Sequence, residues 1–522
     1  MNRESSQAVA PAVEMLGVCK RFGPVRANLD VNLTVTPGHV HGIVGENGAG
    51  KSTLMSILFG YYEADQGELR VDGQRRTIAS PSDAIKAGIG MVHQHFMLVE
   101  NLTVLENVML GAEGGWHLQR GRQQVREALS RLEQDYGLEV DPDARIDELA
   151  VGLRQRVEIL KALYRGARIL ILDEPTSVLT PQETAKLFDI LGALKQQGVT
   201  TLLITHKLRE IMTVTDRVSV MRGGRLVADR GTANTSRAEL AELMVGRKVL
   251  LTLDKAPATP GEEALIVNAV SHVDRHGVSR VDRVSFALRQ GEILGVAGVS
   301  GNGQSELLEV LAGMLPVSSG RFSLPGIEVT AARPTDPARL RSLGLAHVPE
   351  DRQRCGMVGS FAAAETAILG HQAQPAFNGR LLSRGRAIRA HCAQLMSGFD
   401  VRPPNPLLRS AAFSGGNQQK LILAREMETR PRVLLVGQPT RGVDIGAIEF
   451  IHRKLVALRD AGAGILLVSV ELEEILSLSD RILVMFEGRI VGEVTASEAD
   501  EQQLGLMMAN AHTPNTDAMG LA

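Results

Sequence analysis

Cysteines and long apolar runs are scarce in this chain of 522 residues. The three cysteines, Cys19, Cys355 and Cys392, lack the spacing of a metal site or a disulfide framework, which favours incidental thiols in a reducing compartment. The chain does not open with a basic segment followed by an apolar run, so no signal peptide is predicted. No stretch approaches the roughly 18 uninterrupted apolar residues of a membrane helix. We therefore expect a soluble protein that stays inside the cell and reaches a membrane only by docking on a membrane protein.

The charge balance argues against nucleic acid as a partner. A formal net charge of −2 provides no basic footprint for a phosphate backbone. Hydrophobic residues at 44% and charged residues at 22% are ordinary for a globular protein with large cores. The length fits two domains of roughly 250 residues each.

A glycine-rich phosphate loop occurs twice. Residues 45–52 read GENGAGKS, a complete G-x-x-x-x-G-K-S pattern. Residues 298–305, which begin 253 positions later (45 to 298), keep the glycines and the serine but have Gln304 in place of the lysine. In such a loop, backbone N–H groups face phosphate oxygens at the start of the following helix. The duplication predicts a nucleotide-handling protein whose first half does the chemistry.

Other motifs also recur at a fixed offset, which indicates one unit written twice. Pro175-Thr176, for example, recurs as Pro439-Thr440, 264 positions later (175 to 439). The predicted organisation is a disordered start at 1–12, a first domain at 13–250, a proline-containing linker at 251–263, a second domain at 264–510 and a disordered tail at 511–522.

Each half is predicted to be α/β. Residues 40–44 form an apolar run that leads into the first loop, and residues 51–59 continue with the spacing of a helical face. Residues 169–172 are all apolar and precede two carboxylates, Asp173 and Glu174, which suits a parallel strand buried on both faces.

The residue types of the first half suit phosphate chemistry. Lys51 would reach the β- and γ-phosphates, and the Ser52 hydroxyl would ligate Mg²⁺. Asp173 at a strand end can hold Mg²⁺ through water, as a Walker B aspartate does. Glu174 is placed to orient or deprotonate the attacking water.

These motifs resemble those of the ATP-binding-cassette (ABC) transporter ATPases. Residues 173–177 look like the Walker B and D-loop region, and residues 414–420 (SGGNQQK) resemble the family signature. The resemblance implies that His206 is the switch histidine, that Gln94 is the Q-loop glutamine and that Phe22 stacks on adenine. It also implies ATP and Mg²⁺ as cofactors. Each of two tandem P-loop ATPase domains would have a parallel-sheet core, an antiparallel β subdomain and a helical subdomain.

The site residues implied by the resemblance form three sets. The catalytic set is Glu174, His206 and Gln94, and the set that would hold Mg²⁺ is Ser52, Gln94 and Asp173. The nucleotide-binding set is Phe22, Gly45, Glu46, Asn47, Gly48, Ala49, Gly50, Lys51, Ser52, Thr53, Ser414, Gly415, Gly416, Asn417 and Gln418.

In this family, ATP is sandwiched between the Walker motifs of one half and the signature of the other. The site that joins the first-half Walker motifs to residues 414–418 is complete. The other site departs from the pattern at Gln304, Gly437, Gln438, Val470, Ala150 and Glu350, which stand for the lysine, aspartate, glutamate, histidine, signature serine and Q-loop glutamine. An amide accepts no proton near neutral pH. We therefore predict one hydrolytic site and one that binds nucleotide weakly, slowly or not at all.

Over residues 13–510 the chain resembles the fused double-cassette subunits of bacterial importers for simple sugars and nucleosides. Residues 92–98 (VHQHFML) and 101–108 (NLTVLENV) look like the nucleoside branch. The resemblance implies an ATPase that is peripheral on the cytoplasmic face of the bacterial plasma membrane. Its partners would be two integral-membrane permease subunits and, indirectly, an extracytoplasmic substrate-binding protein. The choice between sugar and nucleoside rests on resemblance alone.

The main alternative is a soluble twin-cassette ATPase that acts on the ribosome. Such proteins normally keep both sites intact and join them by a long, charged, helical linker, whereas this chain has a short linker with prolines and a degenerate second site. Related DNA-repair ATPases carry zinc cysteines or long coiled coils between the motifs, and this sequence has neither. An exporter ATPase would usually show a different Q-loop neighbourhood.

Overall fold

The computed structural model describes residues 10–93, 96–111, 118–176, 179, 181–248, 255–299, 301–379, 382–443 and 445–508. The chain divides into two compact units, Met1–Val249 and Leu250–Ala522. The domain bounds predicted from the sequence remain a prediction, and residues 1–9 and the predicted tail at 511–522 lie outside the described residues.

The described strands of the first unit fall into two sheets. In chain order they are β1 (Val13–Phe22), β2 (Val25–Val35), β3 (Val40–Gly45), β4 (Gln66–Val71), β5 (Gln74–Arg75), β6 (Ile89–Val92), β7 (Ile169–Asp173), β8 (Thr200–Ile204), β9 (Arg217–Arg222) and β10 (Arg225–Gly231). One sheet has the order β10-β9-β3-β8-β7-β6 and is parallel except for β10. The other, β2-β1-β4-β5, is antiparallel. Strand β7 is apolar and buried up to its final aspartate, as expected in a parallel sheet covered on both faces.

The helices of the first unit cover these sheets. They are α1 (Lys51–Leu58), α2 (Pro81–Lys86), α3 (Val104–Met109), α4 (Leu118–Tyr136), α5 (Val151–Tyr164), α6 (Pro181–Gln196), α7 (Leu208–Val214) and α8 (Arg237–Val245). Leu54 and Leu58 of α1 belong to the same buried core as Val13 and Met15 of β1. Helix α1 is thereby fixed between the two sheets, and with it the loop that precedes it.

The second unit repeats this architecture. Its strands are β11 (Glu263–Val273), β12 (Ser279–Arg289), β13 (Ile293–Ala297), β14 (Ser319–Leu324), β15 (Ile327–Thr330), β16 (Leu345–Val348), β17 (Val433–Gly437), β18 (Gly464–Ser469), β19 (Arg481–Phe486) and β20 (Arg489–Thr495). The larger sheet has the order β16-β17-β18-β13-β19-β20, which is the order of the first unit read from its other edge. The smaller sheet, β12-β11-β14-β15, is antiparallel.

The helices of the second unit occupy the corresponding places in the sequence. They are α9 (Gln304–Leu311), α10 (Pro337–Ser342), α11 (Ala363–Thr366), α12 (Gly385–Gly398), α13 (Gly415–Glu428), α14 (Ile445–Asp460), α15 (Leu472–Leu478) and α16 (Glu501–Met508). The prediction of two α/β units, each with a parallel core, an antiparallel sheet and a helical part, is confirmed. Within the described ranges, no helix is both long enough and apolar enough to cross a bilayer.

Candidate active site

The first phosphate loop joins β3 to α1, and the packing beneath it fixes its backbone. Gly48 and Gly50 adopt φ values of 82° and 99°, a region that favours glycine. A Cβ atom on Gly50 would lie 2.2 Å from the carbonyl oxygen of Ala27. The buried side chain of Asn28 donates a hydrogen bond from Nδ2 to the Gly50 carbonyl at 3.1 Å. Residues 45–53, predicted as nucleotide-binding, thus form one continuous structure held by β2.

Lys51 is the first residue of α1 and is only 6% exposed. Its Nζ donates to the carbonyl oxygens of Gly45 at 2.6 Å and Glu46 at 3.0 Å. Burial lowers the pKa of this ammonium, while the charges of Glu174 and Asp173 oppose that shift. A lysine held over the loop in this way is placed to give charge-assisted hydrogen bonds to phosphate.

Asp173 reaches the loop because β7, β8 and β3 are neighbours whose carboxyl ends share one edge of the sheet. The Ser52 side chain lies beside its carboxylate and favours the ionised form. Burial raises the pKa of Asp173 and the adjacent Glu174 raises it further, whereas Ser52 and Lys51 lower it. A hydroxyl and a desolvated carboxylate fit Mg²⁺, which completes its shell with phosphate oxygens and water. No cluster of three or more His, Cys, Asp or Glu within the described ranges would hold a metal alone.

Glu174 follows β7 in a strained backbone conformation, with φ of 48°. Its N–H donates to the carbonyl of Ile204 at 2.8 Å, which ties it to the end of β8. Two residues beyond β8, His206 places Nδ1 3.0 Å from Glu174 Oε1. Burial favours a higher pKa for Glu174, but the hydrogen bond from His206 and the charges of His206, Lys51 and Lys207 together lower it. An ionised and oriented carboxylate at this place fits a general base or a water-orienting group.

Glu210 on α7 supports this pair and was missed by the sequence reasoning. Its buried carboxylate accepts a short hydrogen bond from the Thr176 hydroxyl and one of 3.1 Å from Thr205 Oγ1. Burial raises the pKa of Glu210. It links the segments that follow β7 and β8. The repeat in the sequence could have pointed to Glu210. Glu474 lies 264 positions later (210 to 474), so this carboxylate is kept in both halves, whereas His206 is not repeated.

The aromatic residue predicted to contact the base lies at the end of β1. Phe22 is 39% exposed, and its ring meets that of Tyr62 edge-on with 5.0 Å between centroids. Lys20 places Nζ 5.6 Å from the Phe22 centroid. A supported and exposed ring of this kind suits stacking on a flat heterocycle, and the adenine contact remains a prediction.

The predicted signature, residues 414–418, opens α13 of the second unit with Ser414 as its N-cap residue. Asn417 Nδ2 donates to Ser414 Oγ at 2.8 Å, which fixes the hydroxyl. Gln418 is buried and donates to two backbone carbonyls. In the first unit, Ala150 occupies the N-cap of α5 without a hydroxyl to offer. Of the two helix starts, only the one in the second unit therefore combines N–H groups with a serine for an anion.

The second unit keeps the backbone found at Glu174 and His206 and changes the side chains. Gln438 has φ of 48° and donates its N–H to Val468 O at 2.8 Å, as Glu174 does in the first unit. Its Oε1 accepts the backbone N–H of Val470 at 3.3 Å. Val470 occupies the position of His206, so the second half has a valine side chain where the first has an imidazole. An amide in this place cannot accept a proton near neutral pH.

Gln94, predicted as both catalytic and metal-binding, lies outside the described residues. The segment just after it is held by two α5 residues that the sequence reasoning missed. Glu158 Oε1 accepts the Met97 N–H at 2.6 Å, and Lys161 Nζ donates to the Met97 carbonyl at 2.9 Å. Glu158 and Lys161 also pair with each other at 2.9 Å. Glu158 and Lys161 lie three positions apart in a largely buried helix, and this pairing of opposite charges could have identified them from the sequence.

Comparisons with known proteins agree with this geometry. The model of the ABC transporter family matches residues 29–177 and 281–441. The guanosine import ATP-binding protein NupO of Bacillus subtilis is 45% identical over 500 residues, which cover 96% of this chain and 97% of that protein. The nucleoside import ATP-binding protein NupA of Lactococcus lactis subsp. cremoris is 44% identical, with 96% and 98% covered. The glucose import ATP-binding protein TsgD13 of Haloferax volcanii is also 44% identical, with 95% and 96% covered.

Proposed function

Because this chain belongs to the ABC transporter family and is an ATPase coupled to transport, we propose that it powers the uptake of nucleosides. Relatives named for guanosine and nucleoside import match it over nearly its whole length. A relative named for glucose import matches equally well, so simple sugars are the second candidate class. The nucleoside class is favoured by the sequences of residues 92–98 and 101–108, which resemble those of the nucleoside branch.

We infer that ATP is hydrolysed in the first half, and the hydrogen-bonded pair of Glu174 and His206 is the observation that carries this inference. Lys51 would bind the β- and γ-phosphates of ATP with its ammonium. Mg²⁺, held by Ser52 and Asp173, would neutralise the charge that develops on the phosphates. Glu174 would orient the attacking water and accept its proton, while His206 keeps the carboxylate in position.

We further propose that residues 414–418 of the second half complete this site when ATP binds, since they alone retain the serine of the signature. The second site lacks a base at Gln438 and is proposed not to hydrolyse ATP. Two membrane permeases would bind the chain at the cytoplasmic face of the plasma membrane and would be moved by its closure and reopening. A substrate-binding protein on the outer side would deliver the nucleoside.

Uptake assays test this proposal directly. Cells that lack the chain would be complemented with wild type, Glu174→Gln or the matched second-half variant Gln438→Asn, and given labelled nucleosides, pentoses or hexoses. We expect wild type and Gln438→Asn to restore nucleoside uptake and Glu174→Gln to fail. Restoration of sugar uptake alone would move the chain to the other substrate class. Normal uptake of both classes without the chain, together with a translation defect, would overturn the importer and favour the ribosomal alternative.

A further inference from the structure

The guanidinium of Arg352 lies between two segments of the second unit that are distant in the sequence. Arg352 begins a short helical turn, Arg352–Gly356, after β16. Its Nη1 donates to the carbonyl oxygen of Arg441 at 2.9 Å. A Cβ atom on Gly415 would lie 2.5 Å from Nη2, and a Cβ atom on Gly442 would lie 3.5 Å from it. The guanidinium therefore packs on the first glycine of the predicted signature and on a glycine of the segment that follows β17.

Asp351 fixes the backbone from which this side chain extends. Its Oδ1 accepts the N–H groups of Gln353 and Arg354, both at 3.0 Å. Its main-chain carbonyl accepts the N–H of Cys355, also at 3.0 Å. The start of the turn is thus held by three hydrogen bonds, and Arg352 approaches the signature from a supported position.

The charge of Arg352 is poorly compensated where it lies. Its Nε is buried and has no hydrogen-bond partner within the described part of the chain. The neighbouring Arg441 is itself paired with Glu350, with 3.0 Å between Nη1 and Oε1. Burial and the charge of Arg441 lower the pKa of Arg352, and the charge of Asp351 opposes this shift. Such a placement costs free energy in the folded chain, and unfavourable placements of this kind are expected at functional sites.

The internal repeat shows that this contact belongs to one half only. At the positions that correspond to Arg352, Gly415 and Gly442, the first half has Phe96, Val151 and Val178. The offset is 256 for the first pair (96 to 352), as it is for Gln94 and Glu350, and 264 for the other two (151 to 415, 178 to 442). A valine in place of Gly415 would exclude the guanidinium, because even a Cβ atom there comes within 2.5 Å of Nη2. All three members of the contact are therefore present only beside the signature that retains its serine.

We propose that Arg352 is a positioning residue for ATP hydrolysis, because it holds the first turn of α13 against the segment that follows β17. This turn begins at Gly415, directly after Ser414, so its place sets the place of the signature serine. A planar guanidinium supports two neighbours in fixed directions, which the single ammonium of a lysine does not. The inference rests on the proposed function, in which residues 414–418 complete the hydrolytic site of the first half.

The test separates ATP binding from turnover in the full-length chain. It compares wild type, Arg352→Ala and Arg352→Lys, with the exposed Arg354→Ala of the same turn as control. Both Arg352 variants should lose kcat by about 10²-fold, the size of effect that a misplacement of about 1 Å can have. Their affinity for ATP should stay that of wild type, because the loop around Lys51 is unchanged. With Mg²⁺, ATP and vanadate, wild type and Arg354→Ala should trap ADP, and Arg352→Ala should not.

Three results would overturn the proposal: turnover by Arg352→Ala at the wild-type rate, full activity in Arg352→Lys, or an affinity for ATP that falls in proportion to kcat. Arg352→Lys keeps the charge and most of the side chain, so it guards against misfolding of Arg352→Ala. Hydrolysis by wild type and its loss in Glu174→Gln are measured alongside. If these two results fail, the proposed function fails, whereas if they hold and Arg352→Ala is fully active, only this inference is wrong.

Discussion

Nδ1 of His206 lies 3.0 Å from Oε1 of Glu174, so one hydrogen bond joins the segments that follow two neighbouring parallel strands. In the second half, the side-chain oxygen Oε1 of Gln438 accepts the backbone N–H of Val470 at 3.3 Å. Both residues that follow the strand have φ of 48°. The same backbone thus carries an ionisable pair in one half and a neutral contact in the other.

His206→Ala should lower kcat for ATP hydrolysis by about 10²-fold, the low end of what a general base contributes, because Glu174 loses the group that orients it. It should also move the acid limb of the pH profile of kcat to higher pH. The hydrogen bond and charge of His206 lower the pKa of Glu174, so their loss raises it, and the ionised base is then lost at a higher pH. Steady-state kinetics at graded pH check this, with the exposed His276→Ala as control. An acid limb that stays in place would contradict the role given to His206.

Alanine at two glycines of the first loop should have unequal effects. Both have positive φ, which costs an alanine roughly 1–2 kcal/mol. A Cβ on Gly50 would meet the Ala27 carbonyl at 2.2 Å, whereas a Cβ on Gly48 meets nothing within 4 Å. We therefore expect Gly50→Ala to abolish ATP binding and Gly48→Ala to weaken it modestly, as measured by isothermal titration. Equal losses in the two variants would show that packing beneath the loop does not set its shape.

Glu158 and Lys161, which clamp the backbone of Met97 between them, should be energetically coupled in their effect on stability. Lys161→Met leaves the 2% exposed carboxylate of Glu158 without its cation, and breaking a buried pair typically costs about 3–5 kcal/mol. The double variant Glu158→Gln/Lys161→Met should lose less than the two single variants added together, by about 1–3 kcal/mol. Urea unfolding of the four proteins measures this coupling, and Lys186→Met on exposed α6 surface serves as control. Strict additivity would mean that the clamp is incidental.

His41 should make the first unit less stable in mild acid. It is fully buried beside Ser219, with Nε2 2.8 Å from Oγ, and burial lowers the pKa of His41 to about 4 from 6.5. Between those values the unfolded chain binds a proton that the folded chain does not, so stability falls as pH drops from 6.5 to 4, by up to about 3 kcal/mol.

The measurement compares thermal unfolding of wild type and His41→Asn at pH 7.5 and pH 5. We expect His41→Asn to lose less stability than wild type over this interval, because one titrating group has been removed. The exposed variant His276→Asn should follow wild type. A decline in His41→Asn equal to that of wild type would place the acid sensitivity elsewhere.

Local patterns in the sequence were enough to predict the loop, the apolar strand before Asp173 and the parallel arrangement of both units. A buried strand and a glycine loop are each specified by residues adjacent in the sequence, so both elements could be predicted without a structure. The contacts of Glu210, Glu158 and Glu350 could not, because each joins segments that are brought together only by the order of strands in the sheet. Glu350 was read as a lost glutamine, whereas its bond to Ser305 makes it a partner of the loop.

The division of labour between the halves is the central claim, and hydrolysis by paired variants tests it most directly. ATP turnover would be measured for wild type, Glu174→Gln and Gln438→Asn, with ATP binding recorded for each. The account predicts that Glu174→Gln keeps ATP binding and loses turnover by about 10²-fold or more, while Gln438→Asn turns over at the wild-type rate. Comparable losses in both variants, or turnover that survives in Glu174→Gln, would contradict it.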